Sequence, residues 1–130
     1  MSQQSDSSFV DLREAGEAHS RGSYHLSVFL AHQAVGKALK AYIIAFGRVR
    51  PPGTQDLVEL AAAASIQLDS SEIEGLSELS PYYVVARHPN AGLRKPWKEI
   101  TQGTSQKLLT TAERIVGKIE ELFKQALSAE

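Results

Sequence analysis

Apolar residues recur with helical spacing along most of this chain. The clearest run is the last one. Leu108, Ala112, Ile115, Ile119, Leu122 and Ala126 step by 4, 3, 4, 3 and 4, the signature of one helix face. Leu109, Val116 and Phe123 broaden that stripe, and Lys107, Glu113, Arg114, Lys118, Glu120, Glu121 and Lys124 fill the opposite side. The spacing predicts a helix over 104–128. Gly117 is its weak point, since an interior glycine costs about 1 kcal/mol relative to alanine. A second long helix is predicted over 23–46, between Gly22 and Gly47, residues suited to helix boundaries. Its length would be roughly 36 Å. Its stripe is Val28, His32, Val35, Leu39, Tyr42 and Phe46, with the same steps. His32 stands where the pattern asks for an apolar side chain, and Gly36 sits in the middle.

Shorter segments complete the pattern. Phe9, Leu12, Ala15 and Ala18 predict a helix over 9–19. An alanine-rich helix is expected over 56–65, with Asp56 and Glu59 in capping-box spacing. Ser71 and Glu74 repeat that spacing for a helix starting near Glu72. Pro81 lacks an N–H and clashes with a preceding turn, so one helix ends near Ser80 and another begins at Pro81, running to about Arg87. Residues 1–8 read as a disordered polar tail. Loops are expected over 48–55 and 89–103, the second long for a compact domain. No stretch sustains the alternation of a strand. Amphipathic helices with short connections bury their stripes against one another, which predicts an all-α, antiparallel helical bundle. It would form a single domain over 9–128.

Composition narrows the function classes. The chain has 130 residues, 42% hydrophobic and 22% charged, with a formal charge of −1. These values fit one globular domain and argue against wholesale disorder. They exclude a protein that coats nucleic acid through bulk charge, but not a local basic patch. There is no cysteine, hence no disulfide scaffold, thiolate zinc site or cysteine nucleophile. That suits a reducing cytoplasm. No apolar run reaches the roughly 18 residues of a membrane span, so no membrane association is expected.

The candidate chemistry is concentrated in one stretch. Arg87, His88, Arg94, Lys95 and Lys98 fall close together around Trp97, the single tryptophan. Guanidinium forks match phosphate oxygens, and an indole offers a stacking face. The stretch reads as a phosphate- or nucleotide-binding loop or as a solvated basic loop. His32 is either a titrating group in a polar pocket or a buried structural histidine. Gly36 marks either the close approach of a helix, partner chain or ligand, or a tolerated weakness. His25 and His32 lie two turns apart, about 10 Å, too far for one metal ion. No metal site or cofactor is expected. There is no Gly-x-Ser-x-Gly elbow and no phosphate-cradling Gly-Lys-Ser/Thr ending.

Phe29 to Ala41, Gln55 to Leu60, Leu79 to Asn90 and the final amphipathic helix, four segments taken in order, resemble the HEPN (higher eukaryotes and prokaryotes nucleotide-binding) family. Phe29-Leu30-Ala31-His32-Gln33-Ala34-Val35-Gly36-Lys37-Ala38-Leu39-Lys40-Ala41 is similar to its signature helix, approximately Gln-Gln-Ala-Ala-Glu-Lys-Ala-Leu-Lys-Ala. Gln55-Asp56-Leu57-Val58-Glu59-Leu60 resembles its His-Asp-Leu-x-x-Leu stretch. Leu79 to Asn90 resembles its Tyr-x-x-x-Arg-Tyr-Pro-Asp segment, and the final amphipathic helix matches in position. The resemblance implies an up-and-down bundle of four to five helices, a homodimer, and work on nucleotides or RNA. It implies a nucleotidyltransferase partner in toxin–antitoxin pairs, or a metal-independent ribonuclease using an Arg and a His four to six residues apart. A pure protein-interaction module is the third alternative. Here no histidine follows Arg87 at that spacing, since His88 is adjacent. Arg13 and His19 have five residues between them, yet fall about 240° apart on a helix. Gly36 replaces the family's Glu, His32 its Gln and His88 its Tyr. The positions carried over are Gln33, Lys37, Lys40, Tyr83 and Arg87. With His32, His88, Arg94, Lys95 and Lys98 they make up the expected nucleotide- or phosphate-binding set.

Overall fold

Caps and glycines divide the apolar stripes of the described residues into five helices. The computed structural model describes residues 3–47, 49–83 and 100–128. Within these residues the elements are α1 (Gln3–Ser20), α2 (Tyr24–Tyr42), α3 (Leu57–Ala64), α4 (Ser70–Leu79) and α5 (Gln102–Ser128), with no strand. α2 continues into a π-helical turn, Ile43–Gly47. Together they form an all-α up-and-down bundle.

α2 is the central rod, packed against α1, α3 and α5, while α4 bridges α3 and α5. Its sequence explains why. Of the predicted stripe, Val28, His32, Val35 and Leu39 are buried, Tyr42 is half-buried and Phe46 is exposed, and a second face of Ala31, Ala34, Ala38 and Ala41 is buried as well. Small side chains let a neighbouring helix come close. α1 supplies Ala15 and Ala18, both without exposure, and the Ser27 hydroxyl donates to the Ala15 carbonyl at 2.7 Å. α5 buries Leu108, Leu109, Ala112, Ile115, Val116, Ile119 and Phe123, most of the predicted stripe, while Leu122 and Ala126 are half-buried. At the far end, Tyr42, Phe46 and Phe123 meet with ring centroids 4.7 to 5.8 Å apart.

Local chemistry sets each boundary. The α1–α2 corner closes with Gly22 at φ 81°. There the Ser23 N–H reaches the Ala18 carbonyl and the Gly22 N–H reaches that of His19, a Schellman arrangement that satisfies the last carbonyls of α1. Asp56 caps α3 by accepting from the N–H groups of Val58 and Glu59. Thr101 caps α5, its hydroxyl accepting from the Thr104 N–H at 3.1 Å.

Three boundaries differ from the sequence pattern. α1 begins at Gln3, inside the segment expected to be a tail; Ser8 is buried and the Ser7 hydroxyl accepts from Lys37, because the long α2 offers a surface for the extra turn. The capping box of α4 is Asp69 with Glu72, not Ser71 with Glu74. Glu72 is favoured there because its carboxylate has a second partner, the Lys118 ammonium at 2.7 Å. Finally, the predicted 23–46 helix is α-helical only to Tyr42. The helix predicted from Pro81 is described only to Tyr83, so the rest of it and most of the 89–103 loop lie outside the described residues.

The helical glycines have different surroundings. A Cβ at Gly75 would lie 2.8 Å from both Thr111 Cγ2 and Thr111 Oγ1. This glycine is what lets α4 approach α5. At Gly36 a Cβ would meet only Leu57 Cδ2 at 3.8 Å, an ordinary contact, and at Gly117 nothing within 4 Å. In urea titrations Gly75→Ala is expected to lose about 1–3 kcal/mol, partly restored by adding Thr111→Ala. Gly117→Ala and Gly36→Ala are expected to gain up to about 1 kcal/mol each.

Candidate functional site

The polar residue in the apolar stripe of α2 finds its partner at the end of α4. His32 is 1% exposed, and its Nε2–H donates to the Ser80 carbonyl at 3.1 Å. That carbonyl lies just past α4, where Pro81 removes the helix's claim on the chain. The Ser80 hydroxyl accepts from the Leu57 N–H at 3.0 Å and donates to Asp56 Oδ1 at 3.4 Å. One serine therefore ties the end of α4 to the start of α3 and to the middle of α2. Sequence reasoning missed Ser80 as a joint; its only signal was its place before a proline.

Burial pushes His32 down from 6.5 to about 4. The backbones of Ser80 and Gln55 act in the opposite direction, and the nearby Lys40 charge adds a smaller push downward. The ring is thus neutral at physiological pH. So enclosed a group is not placed to exchange a proton with a bound substrate; it holds structure. Tyr83 packs beside it, ring centroids 5.5 Å apart and planes tilted by 34°. His32 and Tyr83, both singled out in the sequence, are brought together.

The other α2 residues divide between two directions. Gln33 and Lys40 are half-buried and seven positions apart, hence on one face. Lys40 is close enough to bias the titration of His32. Lys37 turns to α1 instead: its ammonium lies 2.7 Å from Asp11 Oδ2 and donates to the Ser7 hydroxyl at 2.8 Å. Arg87, His88, Arg94, Lys95 and Lys98 lie outside the described residues. His19, of the Arg13–His19 spacing, faces the Ser105 hydroxyl at 2.8 Å, joining α1 to α5, while Arg13 is exposed. Among the described residues no group of three or more His, Asp or Glu side chains is placed to hold a metal ion. No helix there is long and apolar enough to cross a membrane.

Comparison with known proteins turns this geometry into a family assignment. The model of the HEPN domain family matches residues 7–122. The chain belongs to the HEPN family. Its fold is similar to that of TT1696 from Thermus thermophilus, with a TM-score of 0.79 and 25% identity over 91% of this chain and 94% of that one. It is similar to ST0689, an archaeal HEPN homologue, with a TM-score of 0.75 and 22% identity over 92% and 93% of the two chains. A HEPN domain protein of Thermotoga maritima matches with a TM-score of 0.74 and 21% identity over 95% and 98%. Among curated proteins none matches significantly. In this HEPN chain the signature helix is α2, and the joint at Ser80 stands where the Leu79 to Asn90 segment begins.

The His32 geometry carries a pH dependence. The folded pKa, about 4, lies below the ordinary value, so the unfolded chain takes up a proton that the folded one refuses. The stabilisation is complete above pH 6.5 and is lost as pH falls from there toward 4. For a depression of this size the loss is on the order of 3 kcal/mol. Urea unfolding of wild type and His32→Gln between pH 7 and pH 4 should show a steeper decline for wild type; equal slopes would contradict the assignment.

Proposed function

We infer that this HEPN protein binds the phosphate of a nucleotide or of RNA beside the face of α2 that carries Gln33 and Lys40. The cationic run Arg87, His88, Arg94, Lys95 and Lys98 supplies most of the charge. The observation that carries this reading is the packing of Tyr83 on His32 next to Lys40. That contact, with the His32–Ser80 hydrogen bond, anchors the stem of the cationic run on the family's signature helix. Arg87 follows Tyr83 by four residues. A lysine on a helix and arginines on an adjoining segment are the donor types that phosphate oxygens take. Tyr83 shapes the stem and His32 holds it from beneath. Lys37, paired with Asp11, serves the α1–α2 contact.

On this reading the working form is a cytoplasmic homodimer accompanied by a nucleotidyltransferase. Co-purification with such a protein, and elution as a dimer, are its expected signs.

The direct test is titration of ATP, GTP and a short RNA by calorimetry. Arg87→Ala and Lys40→Ala are each expected to weaken binding about tenfold, the worth of one charge-assisted hydrogen bond. Lys37→Ala should leave it within about twofold. Equal affinity of wild type and Arg87→Ala for all three ligands would overturn the reading.

A further inference from the structure

Charge is distributed unevenly along the chain. From Pro51 to Tyr83 there is no Lys, Arg or His, yet there are six carboxylates: Asp56, Glu59, Asp69, Glu72, Glu74 and Glu78. This stretch is the α3–α4 hairpin. On the flank of α4 that faces α5 the charge is answered, with Glu72 on Lys118 and Glu78 on Lys107. The other flank is different. Between α3 and α4 lies a hollow of about 550 Å³, with Leu76 and Ala61 at its base and Val58, Ile66, Leu68 and Ile73 around them. Val58 also borders a second hollow, of about 350 Å³, shared with Asp56, Ser77, Ser80 and Pro81. The two follow each other along the hairpin, whose ten-residue α4 is about 15 Å long.

The first hollow of this furrow is lined mostly by apolar side chains, the second is more polar and continues it along the hairpin, and Ile73 on the edge of the first is 45% exposed. Such a shape suits a row of side chains from one helix face better than a compact ligand. Its rim is acidic. Asp56 lies at one end, Asp69 stands one turn before Ile73, and Glu59 one turn before Ala62, all exposed. Among the described residues no ion pair reaches any of these three. Lys118, whose ammonium touches the Gln67 carbonyl at the furrow's mouth, is already neutralised by Glu72.

We propose that the α3–α4 furrow docks a cationic amphipathic helix of a partner protein. Apolar side chains of the partner enter the furrow, and its Lys or Arg residues meet Asp56, Glu59 and Asp69. The carboxylate rim attracts such a helix at long range and repels nucleic acid. The furrow's occupant thus differs in charge from the phosphate inferred on α2, and the docking does not depend on that reading.

The probes are three synthetic helical peptides of about 18 residues with one shared Leu/Ala face and a polar face of Lys, Gln or Glu. Fluorescence anisotropy on the full chain at physiological salt is expected to rank Lys above Gln by about tenfold, with no binding of the Glu peptide. Amide NMR shifts caused by the Lys peptide should fall between Asp56 and Ser80. Ile73→Ser and Glu59→Lys, both at exposed positions, should each weaken the Lys peptide at least about fivefold with an unchanged far-UV circular dichroism spectrum. Three peptides binding alike, or Ile73→Ser binding as wild type, would overturn the proposal. So would a short RNA that, added alone, shifts the same furrow amides, or self-association abolished by Ile73→Ser in a chain that binds no peptide.

Discussion

The hydrogen bond from His32 to the Ser80 carbonyl is the constraint around which the bundle is arranged. A neutral imidazole buried in an apolar stripe must have a partner, because an unpaired buried donor costs about 1–3 kcal/mol. The backbone just past α4 must likewise place its carbonyl somewhere, because Pro81 prevents the helix from continuing. Each requirement satisfies the other. The Ser80 hydroxyl then receives the Leu57 N–H at the start of α3. Three helices are thereby indexed to one another within a few ångströms, and the point where the chain passes Tyr83 is held against α2.

Charge is divided along the sequence as well. Toward α2 and the run that follows Tyr83 the sequence is rich in cations; through α3 and α4 it has none. Inside the bundle, charges are used sparingly and in specific pairs. Lys37 with Asp11 ties α2 to α1, and Lys118 with Glu72 ties α5 to the first turn of α4. Glu72 also completes a capping box, so a buried carboxylate serves a helix end and an ion pair together. Such partly enclosed pairs specify which helices meet, more than they add raw stability. A net charge of −1 hides this division entirely.

Much of the bundle was legible in the residues. The α5 stripe, the α2 stripe, the proline break after α4 and the Asp56 cap follow from periodicity and local hydrogen bonding, which act over a few positions. Elsewhere local rules were too short-sighted. Ser71 with Glu74 and Asp69 with Glu72 have the same spacing, and a lysine 46 positions beyond Glu72 selected the second. Ser7 and Ser8 look like tail, yet Lys37 of α2 holds Ser7 and Ser8 is buried. Within the candidate site, His32 was visible as an anomaly in its stripe. Ser80, its partner, was not, because a backbone carbonyl leaves no mark on the amino-acid alphabet.

The glycines show where the division falls. From sequence alone Gly36, Gly75 and Gly117 are the same event, a missing side chain in a helix. The sequence by itself determined that the chain is helical, which faces are apolar, that α4 breaks before Pro81, and that four ordered segments resemble the HEPN family, since each of these is written in residue type and spacing. Tertiary structure alone decided that Gly75 is the contact where α4 meets Thr111 of α5, that Gly36 faces an ordinary leucine contact, and that Gly117 faces open space. It also decided that Lys37 serves α1 while Lys40 stays beside His32. Those outcomes depend on which surfaces arrive opposite a residue, and that distance is set by the packing of other helices.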